Sequence, residues 1–238
     1  MKRCLTLLFF ATVVSVFAQV AGDPSHIEVY ITPFYDSTGP KVEVGPLSQG
    51  LAAKNEGEFI TAISKMKHSW DVLRYPEVYV AAIRLYDLGF RKESIYWFYS
   101  AQYRGRLFAT LVDREKMGTI GSPAFELVQA ANAFQQLVGP YINGYGFADI
   151  DLLSQIIARV QNENRTVPDL EKVYPGIEFK PRSVWDAGNA GLNDGLTKFL
   201  AMLKDQKASL KNTRAENGTE AKFSKLTSKE LPASAIKP

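Results

Sequence analysis

Apolar positions along this chain recur at two different spacings. Near the start, in "HIEVYITPFY", Ile27, Val29 and Ile31 alternate with His26, Glu28, Tyr30 and Thr32, the two-residue period of a half-buried strand. The breakers Pro33, Gly39 and Pro40 follow, then a short apolar–polar piece from Lys41 to Val44. The expectation is one or two strands, or a hairpin, within residues 19–45. Such a unit is marginal on its own and should lie against the rest of the chain. From Pro46 onward the spacing becomes three and four. In "NEGEFITAISKMKHSWDVL" the residues Phe59, Ile60, Ile63, Met66, Trp70 and Leu73 share a helical face, with Asn55 as N-cap and Glu58 three places on. "PEVYVAAIRLYDLG" runs from Pro76, a good first-turn residue, to the stop at Gly89. A further helix follows Arg91 and reaches about Arg114. Ser122 and Pro123 open "PAFELVQAANAFQQLVG", which Gly139-Pro140 is expected to end. "DIDLLSQIIARVQNEN" is amphipathic, "VPDLEKVYPGIEFKPRS" reads as an extended excursion, and "GLNDGLTKFLAMLKD" as a last helix. The pattern predicts a mainly α fold over residues 46–203. Its form is a helical bundle or helical-hairpin array of about six helices, with the small β-strand or hairpin appended.

One stretch departs from simple amphipathicity. In "ESIYWFYSAQYRGR" four aromatics stand in succession, Tyr96, Trp97, Phe98 and Tyr99, with Tyr103 one turn later. Each helical residue turns the chain by about 100°, so no single face holds all four, and the helix must be a central one. Trp97 and Phe98 are expected in the core, while the tyrosine hydroxyls need partners or water.

The surrounding segment, "AIRLYDLGFRKESIYWFYSAQYRG", resembles one unit of the tetratricopeptide superfamily, especially its Sel-like branch. Tyr86 and Gly89 stand where that pattern closes its first helix; Ser94, Trp97, Phe98, Ala101 and Gly105 stand where it builds its second. Ala82-Ile83 departs from the usual Leu-Gly. The resemblance covers about 24 residues, and no second copy recurs at a fixed period. It implies an αα-hairpin turning at Gly89 and a binding or scaffolding role.

Composition adds location. "MKRCLTLLFFATVVSVFA" has the basic start, short apolar run and small-residue end of a secretory leader, with cleavage expected after Ala18 or, second, after Ala21. Cys4 leaves with it, so the mature chain has no cysteine, which excludes disulfides and thiolate chemistry. A cysteine-free exported chain fits a periplasm or culture medium; glycosylation at Asn164 or Asn217 would require a eukaryotic route. At 46% hydrophobic and 12% aromatic the chain can bury a sizeable core. The net charge of +3 carries no nucleic-acid footprint. Residues 204–238 hold eight Lys or Arg against four Asp or Glu. With few large apolar residues, they are expected to end the last helix and continue as a disordered basic tail. Such a tail offers membrane or cell-wall contact, against the ordinary reading of a solvated end.

Chemistry is sparse. No His-x-x-x-His or Glu-x-x-His pairing, G-x-S-x-G elbow or phosphate loop occurs, so neither metal nor cofactor is expected. Glu93, Glu126 and Asp149 are the candidates for carboxylate acid–base work, since each adjoins an aromatic- or glycine-rich segment. Each has a structural alternative; Glu93 lies in a first helical turn and Asp149 stands where an N-cap is needed. Arg84, Tyr86, Tyr99, Tyr103, Arg104 and Arg106 are the binding candidates, rimming a groove between two helices. The competing reading pairs those arginines with Asp87, Glu93 or Asp113. The function expected is protein–protein binding by an exported, non-enzymatic helical protein, a scaffold or immunity-type protein whose partner is another protein. The rival is a cell-wall hydrolase using paired carboxylates.

Overall fold

The structure is a computed structural model that describes residues 20 and 22–235. The expected leader, with Cys4 and the expected cleavage positions at Ala18 and Ala21, lies outside the described residues, as do residues 236–238.

The alternation near the start is real in burial but not in pairing. Ile27, Val29 and Ile31 are buried while Tyr30 points outward. Only Ile31 makes a bridge, to Tyr35; the hairpin proper is two short antiparallel strands, β1 (Tyr35–Asp36) and β2 (Gly39–Pro40). Residues 24–27 satisfy their backbone on side chains of the helices instead. The Ile27 amide donates to Asp87 Oδ1 at 2.8 Å, and the carbonyls of Pro24 and Ser25 accept from Tyr86 and Arg91. The two-residue period therefore reports an extended segment laid on a helical surface.

Ten α-helices follow among the described residues: α1 (Ser48–Ala52), α2 (Glu56–His68), α3 (Tyr75–Asp87), α4 (Arg91–Leu111), α5 (Pro123–Gly146), α6 (Ile150–Glu163), α7 (Leu170–Val173), α8 (Trp185–Asp205), α9 (Lys207–Glu216) and α10 (Thr219–Phe223). The six expected from periodicity are α2 to α6 and α8; the other four are short. The fold is mainly α with a small N-terminal hairpin. No helix among the described residues is long and apolar enough to cross a membrane.

Local chemistry explains most starts and stops. Asn55 accepts from the amides of Gly57 and Glu58 and begins α2. The Arg74 amide donates to Glu77 at the start of α3. Between α3 and α4 the chain turns at Gly89, whose φ of 89° favours glycine. Helix α4 stops at Leu111, short of Arg114, because residues 178–180 take over its pairing. Lys180 N donates to Leu111 O, Asp113 N donates to Glu178 O, and Val112 bridges Phe179. The excursion before α8 is thus extended at that bridge and carries the short helix α7.

Three expectations are corrected. Helix α5 does not end at Gly139-Pro140 but continues to Gly146. A proline inside a helix costs about 3 kcal/mol; here the flanking Val138, Tyr141 and Ile142 are all buried, and that burial outweighs the missing bond. Helix α8 begins at Trp185, six residues early. Its glycine-rich start is a close-packed face: a Cβ on Gly188 would meet the Leu111 side chain at 2.9 Å. Finally, the basic tail is not disordered through residue 235. It forms α9 and α10 and returns across the molecule, burying Leu210, Phe223, Leu231 and Ala235.

Helix α4 is the centre. It packs on α3, α5, α6 and α8, so all four successive aromatics are buried, Trp97 and Phe98 completely.

Candidate functional site

The sequence candidates do not converge on one groove. Arg84 spends its guanidinium on the Leu51 carbonyl (2.9 Å) and the Ala53 carbonyl (3.5 Å), and lies 4.0 Å from Asp87. Tyr86 is buried and donates to the Pro24 carbonyl. Tyr99 donates to Asn143 on α5 (2.9 Å), and Arg106 reaches Gln135 on the same helix (3.3 Å). Tyr103 donates to Asn189 on α8 (2.6 Å) and accepts from Asn193 (2.7 Å). Arg104 NH1 donates to the Trp70 and Leu73 carbonyls, both at 2.9 Å. The expected Arg–Tyr rim is thus corrected: these six side chains point to different sides of the α3–α4 hairpin and fasten it to its neighbours. The physical reason is the circular arrangement of α4 itself, since a helix buried all round turns its tyrosines and arginines inward as well.

The acidic candidates are also occupied. Asp149 accepts from the Leu152 amide at 3.0 Å and caps α6. Glu126 accepts from the Gly121 amide at 2.8 Å. Glu93 belongs to a polar cluster at the junction of α2, α4 and α6. One of its oxygens accepts from both Lys67 Nζ (3.1 Å) and Trp97 Nε1 (3.0 Å). On the other side of Tyr96, Glu163 accepts the Tyr96 hydroxyl (2.5 Å) and Arg159 Nε (3.0 Å). The Arg159 guanidinium sits 3.8 Å from the Tyr96 ring centre, and Arg104 sits 4.7 Å from that of Trp70. Trp70 stacks on Tyr96 and meets Trp97 edge-on, with centroids 5.7 and 5.0 Å apart.

In this cluster cations, rings and carboxylates alternate, and each carboxylate already holds a cation. The Lys67 side chain is 2% exposed. Burial pushes its ammonium pKa down, and Glu93 opposes that shift by holding the proton. Neither Glu93 nor Glu163 is fully buried, with side chains 17% and 23% exposed. The arrangement supplies a paired lysine–carboxylate flanked by aromatic faces, and it ties three helices together. Lys67, Glu163 and Arg159 escaped the sequence reading. The available signal was Lys67 itself, a charge four residues after Ile63 on the apolar face of α2.

A second polar group surrounds Asp87 at the end of α3. Its carboxylate is pushed up to about 6 by burial, opposed by the Ile27 amide and by His26, whose Nδ1 is 3.2 Å away. A depression on the outer face of α2, lined by Ile60, Thr61, Ser64, Lys65, His68 and Ser69, includes none of the candidates. Among the described residues no group of three or more His, Cys, Asp or Glu is placed to hold a metal ion.

Comparison with known proteins adds one uncharacterized relative. The chain is similar to an uncharacterized protein of Haemophilus influenzae, 24% identical over 132 residues, which is 52% of this chain and 47% of that one. The match therefore spans about half the length of the curated relative. No family model matches the sequence, and no solved structure matches it.

Proposed function

We propose that this is an exported, periplasmic helical protein that acts by binding another protein, as a scaffold or immunity-type protein. The leader-like start supports export. The observation that carries the binding reading is an apolar side chain held outward by an ordered loop. Between α4 and α5, Ile120 is 85% exposed, while Met117 packs back on the core. The Ser122 hydroxyl lies 2.7 Å from both the Met117 and Thr119 carbonyls, the Ser122 amide donates to Thr119 O, and Glu126 holds the Gly121 amide. A loop fixed this way loses little freedom on docking, so its apolar tip contributes to affinity at low entropic cost. In this reading Glu126 is a positioning residue.

The test is capture from a periplasmic extract with the wild-type chain and with Ile120→Asp as baits. The expected result is a partner retained by wild type and lost by the variant, at an unchanged melting temperature. Equal retention by both baits would move the interface away from Ile120. The second reading, cell-wall hydrolysis, draws on the shared cluster of Glu93 and Glu163. It would displace the first if capture returned nothing while the purified chain degraded peptidoglycan.

A further inference from the structure

Helices α8 and α9 are divided at a single residue, Gln206, with φ −103° and ψ 12°. The break is slight: Gln206 N still donates to Met202 O (2.9 Å), and Gln206 O still accepts from Leu210 N (2.8 Å). No helix-breaking residue causes it. The flanking sequence, Leu203 to Leu210, contains neither glycine nor proline and is rich in good helix formers. Beside the bend Lys207 Nζ donates to both oxygens of Asp151 on α6, at 2.7 and 2.6 Å, and the rest of the hold lies beyond it. Arg214 NH1 donates to the Gly144 carbonyl at 2.7 Å, and Phe223 fills a notch over Gly144, where a Cβ would meet its ring at 2.4 Å. Further on, Lys229 N donates to Gly89 O at 2.8 Å, Arg91 holds the Thr227 carbonyl, and Lys229 and Glu230 pair with Glu56 and Lys92. The helix between hinge and dock is mostly exposed; α9 buries only Leu210 and Arg214.

We infer that residues 207–235 are an exchangeable arm that docks on a second copy of this chain. Straightening at Gln206 joins α8 and α9 into one helix from Trp185 to Glu216, about 48 Å long, and carries the arm clear of its own body. The partner is a second copy because the dock matches this arm position by position. Gly144 takes Phe223, the Gly89 carbonyl takes the Lys229 amide, and Glu56 takes the Lys229 ammonium. The closed monomer and the reciprocal dimer share these contacts. They differ at the hinge and in the entropy of association. The inference stands apart from the binding role of Ile120, so either can fail without the other.

The test uses the intact chain. Unlabelled and ¹⁵N-labelled protein are mixed, concentrated and separated by size, and each fraction is treated with a carbodiimide, which joins touching lysine and carboxylate side chains. The expected result is a dimer fraction with mixed-isotope crosslinks at Lys229–Glu56 and Lys92–Glu230, and a monomer with same-isotope crosslinks only. Gln206→Ala should raise the dimer association constant relative to Gln206→Gly, about fivefold per hinge, from the helix propensity difference. A chain that stays monomeric at every concentration overturns the proposal, as does a dimer whose crosslinks at those pairs are all same-isotope.

Discussion

The α3–α4 hairpin and the C-terminal arm are both helical and both packed, yet they are held in opposite ways. In the hairpin nearly every side chain is inside: Val78 to Ile83, Leu85 and Tyr86 on one helix, Ile95 to Tyr99 on the other. Each large apolar side chain contributes about 1.5–3 kcal/mol by burial, so the hairpin holds through many neighbours at once. The arm buries Leu210, Phe223, Leu231 and Ala235, spaced far apart, and relies between them on single contacts to Gly144, Gly89, Arg91 and Lys92. Continuous burial yields a unit that unfolds only with the whole molecule. Discrete anchors yield one that can leave as a unit.

The comparison can be broken first at Trp97. Trp97→Ala should lower stability by about 3–5 kcal/mol, measured by denaturant unfolding, because the ring is fully buried and its Nε1 holds Glu93. An unchanged midpoint would place Trp97 outside the core. Arg104→Ala leaves the Trp70 and Leu73 carbonyls without their shared donor and should cost about 1.5–3 kcal/mol; a neutral outcome would return Arg104 to the surface. Phe223→Ala should cost less in global unfolding, about 1–2 kcal/mol, because the arm can detach before the body unfolds. Its main effect should be faster amide exchange over residues 219–235, and exchange matching wild type would show that Phe223 is not the anchor.

A pH-dependent effect concerns the seam where the N-terminal segment meets the hairpin. Asp87 has a folded-state pKa raised to about 6 from an ordinary 3.8. Between those values the folded chain binds more protons than the unfolded one. Its contribution to stability is therefore fully present below about pH 4 and declines as pH rises through 6. Asp87→Asn should remove this component, so the stability difference between variant and wild type grows in the variant's favour from pH 4 to 6. Parallel pH profiles would contradict that account.

What could be read from residue order follows the same division. Four successive aromatics can be buried only by a helix surrounded on all sides, and periodicity alone placed α2 to α6 and α8. The arm was misread because Phe223 and Leu231 are isolated in sequence, and Phe223 gains meaning only from Gly144, far away along the chain. The arginines were misread for a related reason. Arg84 and Arg104 pair with backbone carbonyls of Leu51, Ala53, Trp70 and Leu73, and a carbonyl leaves no mark in the identity of its residue. Pro140 marked a helix end by its own chemistry, and burial on either side of it prevailed.

Native-state hydrogen exchange in low denaturant tests the central contrast most directly. Amides of Arg91–Leu111 are expected to exchange only through global unfolding, with free energies that fall steeply as denaturant is added. Those of 207–223 are expected to exchange together through a smaller, denaturant-insensitive opening. If the arm's amides instead share the free energy and denaturant slope of α4, the two regions are one cooperative unit and the account is wrong.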